Sequence, residues 1–96
     1  MNERITIEVP SQTDLQVVRK QINELKEDVK TASTEDQPFF KMHVSMLEEK
    51  VRSLRQLIRN IKVNYRLRRN LNTQKKVNAA WLDLKRSLAE TVEIIN

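Results

Sequence analysis

Six side chains stand out by type and spacing. Arg52, Arg55, Arg59, Lys62, Arg66 and Arg69 recur at steps of 3, 4, 3, 4 and 3 residues. On a helix that rhythm draws a single line of positive charge along one side. Five of the six are arginine, whose planar fork matches phosphate or carboxylate oxygens and stacks on aromatic rings. Arg68, Lys75 and Lys76 extend the charge, while Asn60, Asn64, Asn70 and Asn72 add neutral hydrogen-bonding groups. Tyr65 and Trp81 supply rings on which a base could stack. The chemistry this pattern suits is the holding of a polyanion, because each neutralised phosphate releases condensed counterions whatever the base sequence.

The distribution of charge along the chain sharpens that reading. Residues 1–49 carry six basic and ten acidic groups, residues 50–82 ten basic and none acidic, and residues 83–96 two basic and three acidic. The net charge of +5 conceals this asymmetry. Basic residues beside an apolar seam often pair with acids on a neighbouring helix, and Glu24, Glu27 and Asp28, or Asp83, Glu90 and Glu93, are the acids on offer. They are too few and too dispersed to balance ten bases, and each exposed pair contributes only ~0–1 kcal/mol. The excess is therefore taken up by solvent or by a partner, a nucleic acid or an acidic protein. A basic amphipathic helix can also lie on an anionic membrane. Here the apolar side is taken up by a seam, so no membrane is expected.

A second cluster, Phe39, Phe40, Met42 and Met46, packs soft apolar groups into a short run and suits an adaptable protein contact. The lone His43 has neither Cys nor a second His to build a metal site. The chain has no Gly-rich phosphate loop and no local nucleophile–His–acid signature, so neither catalysis nor a cofactor is expected.

Ninety-six residues without Gly or Cys and with two Pro disfavour turn-rich β architectures and exclude disulfides. The opening "ERITIEVP" alternates Ile5, Ile7 and Val9 against Arg4, Thr6 and Glu8 and ends at Pro10, the pattern of a strand or extended arm over residues 1–12. A helix over 13–32 follows, capped by Thr13 with Gln16, its seam made of Leu15, Val18, Ile22, Leu25, Val29 and Ala32. "KTASTEDQP" marks a connection. The second helix, 37–69, repeats the seam through Phe40, Val44, Leu47, Val51, Leu54, Ile58, Ile61 and Tyr65. After Tyr65 the seam fails, and a third helix over 73–95, capped by Asn72 or Thr73, carries Val77, Trp81, Leu84, Leu88 and Ile95 with Val92 beside them. A single bent helix from about residue 38 to 95 is the alternative, since neither Gly nor Pro enforces the break. The length difference between the first two helices predicts that the basic end of the second projects some 15–20 Å past the first.

The segment "RITIEVP" and the helix after it resemble the start of a ribbon–helix–helix repressor, over about a quarter of the chain. That resemblance implies paired strands in the major groove with Arg4 and Thr6 reading bases. The chain departs from the pattern in having no Gly-containing turn, a far longer second helix and an outward Glu8. The expectation is an all-α antiparallel three-helix bundle, 13–96, with an extended N-terminal arm. It is expected to be a soluble cytoplasmic protein that assembles as a homodimer or larger oligomer. It would bind DNA or RNA without catalysis or, alternatively, serve as an adaptor or assembly chaperone for an acidic or apolar protein.

Overall fold

The computed structural model of the chain describes residues 9–64 and 70–96. They form three helices, α1 (Gln12–Lys30), α2 (Gln37–Val63) and α3 (Leu71–Ile95), each packed against the other two. The chain is an all-α three-helix bundle. The strand expected over Arg4–Val9 lies almost wholly outside the described residues. Its last residues, Val9 and Pro10, sit beside Ile58 and Ile61 at the end of α2.

The helix ends follow from local hydrogen bonding. Ser11, rather than Thr13, caps α1: its hydroxyl oxygen accepts from the Asp14 amide at 3.1 Å, and the Asp14 carboxylate accepts from the Ser11 amide at 2.9 Å. This reciprocal pair satisfies two donors at once, which Thr13 and Gln16 would have done two residues later. These bonds, the one from the Ser11 amide first, hold the Asp14 carboxyl below its ordinary range. At the other end the Thr31 hydroxyl donates to the Asp28 carbonyl at 2.8 Å, stopping α1 two residues short of the expected Ala32. The 31–36 connection is held by Ser33 Oγ donating to Asp36 at 2.7 Å and by Gln37 Nε2 donating to the Ala32 carbonyl at 3.1 Å. Pro38 then sits in the first turn of α2, where its missing amide hydrogen costs nothing. No described residue has a positive φ, so these turns need no glycine.

The α2–α3 break is real. Asn64 and Asn70 are both extended, and α3 begins at Leu71 because the Asn70 side chain accepts from the Asn72 and Thr73 amides at 2.9 and 3.3 Å. Asn72 and Thr73 are thus capped residues instead of caps, and a single bent helix over 38–95 is excluded. The expected helical stretch 65–69 lies outside the described residues.

The seams close on one another as a single core. Leu15, Val18, Ile22, Leu25 and Val29 of α1 meet Val44, Leu47, Val51 and Leu54 of α2 and Val77, Trp81, Leu84 and Leu88 of α3, all buried. Ile58, Ile61, Phe40 and Ile95 extend the core as partly buried residues. Thr91 fills the seam position between Leu88 and Ile95, its hydroxyl satisfied by the Ser87 carbonyl at 2.7 Å, and Val92 points outward.

Polar contacts fix the register. Lys26 of α1 bonds Glu48 of α2 at 2.9 Å, and Lys50 of α2 reaches both Asp83 at 2.9 Å and Ser87 at 2.7 Å on α3. Ser11 lies beside Ile61 and Ile94 beside His43, so both neighbours of α2 run antiparallel to it. Ser11 and Gln12 lie beside Ile61 and Lys62, so the expected projection of the basic end of α2 past α1 does not occur in the described part. With Lys26 opposite Glu48, the end of α1 comes level with about residue 44, and it is the first turns of α2 that run on beyond α1. The register matches seam to seam, and this leaves Phe40 to close the bundle at that end.

Candidate nucleic-acid interface

The Arg row follows directly from the seam. Arg52, Arg55 and Arg59 come one residue after Val51, Leu54 and Ile58, so burying the seam turns all three outward, and all three are exposed. They line a groove between α1 and α2. In an antiparallel pair the same flank of each helix faces that groove, so the residues that follow the α1 seam stand across from the row. These include Arg19 after Val18, Asn23 after Ile22 and Lys26 after Leu25. Arg19 was not among the residues singled out from the sequence. Its signal was there, in a basic residue one step past a seam position on the antiparallel neighbour.

The groove is electrostatically one-sided. Five bases line it, Arg19, Lys26, Arg52, Arg55 and Arg59, against the single carboxylate of Glu48, which Lys26 already engages at 2.9 Å. Among the described residues, Arg19, Arg52, Arg55 and Arg59 have no carboxylate within 4.0 Å. The acids that stood as candidates to quench the row are occupied or elsewhere. Glu27 pairs with Lys30 on its own helix, Glu24 and Asp28 line the opposite groove between α1 and α3, and Asp83 holds Lys50 and Arg86. Like charges thus face each other across the α1/α2 groove. Such repulsion is relieved when an anion lies between them.

The remaining residues distribute as follows. Lys62 is exposed and lines a hollow with Val9, Pro10, Arg19, Arg55 and Arg59, continuing the basic groove toward the start of α1. Lys75 and Lys76 are exposed in the first turns of α3. Tyr65, Arg66, Arg68 and Arg69 lie outside the described residues. Trp81 is 7 % exposed and belongs to the core, with the Lys85 ammonium 5.2 Å from its ring centroid. The seam claims this ring, and no open face remains on which a base would stack.

At the far end of α2, Phe39, Met42 and Met46 are about half exposed, while Phe40 packs on the core. The Phe39 ring meets His43 edge-on, with centroids 4.6 Å apart. Among the described residues no cluster of His, Asp and Glu is arranged to hold a metal ion, and no helix is long and apolar enough to cross a membrane. No protein-family model, curated protein or solved structure matches this chain.

Proposed function

We propose that the protein binds nucleic acid without catalysis, through the basic α1/α2 groove. The observation that carries this reading is the concentration of Arg19, Arg52, Arg55 and Arg59 on one groove where, among the described residues, the one carboxylate, Glu48, is already engaged by Lys26. Their positions are set by the buried seams, so the charges are presented by packed helices and little ordering is required when a ligand arrives. From Arg52 to Lys62 the row runs ~15 Å along the helix, a length that faces on the order of nine phosphate charges of a duplex. Lys62 continues the row, Lys75 and Lys76 add charge on α3, and Arg66, Arg68 and Arg69 extend it in sequence. Contacts of this kind position the protein on a phosphate backbone and carry no base preference of their own.

Titrating salt against a labelled random-sequence duplex, DNA and RNA in parallel, tests the reading by fluorescence anisotropy. Four or five phosphate contacts give a log–log slope of roughly −4. Arg55→Ala with Arg59→Ala should weaken binding equally for all sequences and flatten the slope by about 2. Absence of binding at ~50 mM salt, where screening is weak, would sink the proposal.

A second reading is supported by the half-exposed Phe39, Met42 and Met46, a patch of adaptable apolar groups that suits an adaptor or assembly chaperone docking a protein partner. Under that reading Phe39→Ser with Met42→Ser abolishes partner capture and leaves nucleic-acid binding unchanged.

A further inference from the structure

Helix α1 separates two grooves of opposite charge. The residues following its seam belong to the basic α1/α2 groove. Those preceding it, among them Asp14, Val17, Glu24 and Asp28, line the α1/α3 groove together with Glu93 and Val92 of α3. Lys85 is the one base among the described residues lining this second groove, and it lies over the Trp81 ring. Glu24, Asp28 and Glu93 have no cation within 4.0 Å among the described residues. They are not arranged to close on a single metal ion, so what they fit is an extended array of cations. Val17, 52 % exposed, and Val92, 36 % exposed, add apolar surface between them.

The matching array is on the same molecule. Arg19, Arg55 and Arg59 are three unbalanced guanidinium groups, two of them one helical turn apart, as Glu24 and Asp28 are one turn apart. Both rows repeat at about 6 Å, so a helix carrying one can lie along a helix carrying the other with charges in register. Exposed Val9 near the arginines offers an apolar partner for Val17 and Val92.

We propose that the acid-rimmed α1/α3 groove docks the arginine groove of a second copy of this chain. The two grooves open in different directions around α1, so the contact is heterologous: each copy presents its arginines to one neighbour and its carboxylates to another. The product is a head-to-tail chain of copies, held by exposed ion pairs and therefore weak and salt-sensitive. This self-association does not depend on nucleic-acid binding. Where a polyanion does bind, it competes for the same arginines and shortens the chains.

Sedimentation velocity of the full chain over roughly 10 µM to 1 mM, in ~50 mM and ~500 mM salt, tests the proposal. The mean mass should climb with concentration above the 11.4 kDa of one chain in low salt and return to it in high salt. Glu24→Lys with Asp28→Lys, and separately Arg55→Glu with Arg59→Glu, should each remain monomeric. Mixed in equal amounts, the two variants should associate again, since each retains one intact groove and the two reversed grooves are themselves opposite in charge. Circular dichroism checks that both remain helical, and the neutral pair Glu24→Gln with Asp28→Asn should weaken assembly without reversing charge. A wild-type chain that stays monomeric at every concentration, a lysine variant that assembles like wild type, or a mixture that does not associate overturns the proposal. The lysine variant keeps the arginine groove intact, so its duplex binding reports separately on the proposed function.

Discussion

At the scale of single residues, Leu54 is fully buried in the core that the three helices share. Leu54→Ala leaves a cavity that its neighbours only partly fill, at a cost of about 2–5 kcal/mol. Urea denaturation should show a lower midpoint with an unchanged slope. Asp83 behaves differently, being partly exposed and paired with Lys50 and Arg86. The hydrogen bond from Lys50 is the main cause holding its carboxyl below the ordinary 3.8. A lowered pKa in the folded state stabilises fully above 3.8, and the contribution is lost as pH falls through the lowered value. Asp83→Asn should therefore cost only ~0–1 kcal/mol at neutral pH, and its urea midpoint should converge on wild type in strong acid. Trp81, the chain's one tryptophan, is a direct reporter of the core. Its fluorescence should be blue-shifted in the folded protein, move red on unfolding, and remain blue-shifted when a duplex is added.

Side-chain caps mark the starts of α1 and α3. Removing the hydroxyl half of the reciprocal pair at the start of α1 by Ser11→Ala should cost about 0.5–2 kcal/mol, as should Asn70→Ala at the start of α3, both read by thermal melting. These caps were also the least legible elements in the sequence. Residues 11–16 contain Ser, Thr, Asp and Gln at spacings that satisfy more than one capping box, and residues 70–73 offer two Asn and a Thr. The choice among them is made by where the seam must start to meet its neighbours, a tertiary constraint that local pattern does not contain. The seams themselves were legible because they repeat: every α1 residue from Leu15 to Val29 named on that face is buried, as are Val44, Leu47, Val51 and Leu54 on α2. The exposed arginines were legible for the same reason, being offset by one residue from positions that pack. Arg19 was overlooked because its role depends on which helix faces which, and Trp81, placed on the seam and also offered as a stacking ring, is buried in that seam.

For the molecule as a whole, the antiparallel order brings like flanks of α1 and α2 together and gives the bundle a basic groove and an acidic one. Removing positive charge from the basic groove should raise stability slightly by relieving repulsion while abolishing polyanion binding. Arg55→Gln with Arg59→Gln, measured by thermal melting and duplex anisotropy on one preparation, should move the two readouts in opposite directions. A parallel fall in both would mean that the arginines serve packing instead.

The backbone itself imposes few stereochemical demands. With every described φ negative, and with the 31–36 connection and the start of α3 held by side-chain hydroxyls and amides, no described site demands a residue lacking Cβ. Tolerance to substitution should then follow enclosure alone, and a saturation library ought to find its intolerant sites along three interior stripes and hardly any in the connections. A lineage carrying this scaffold can recharge either flank of α1 one codon at a time and acquire new ligands, with the chain's path through space left as it was.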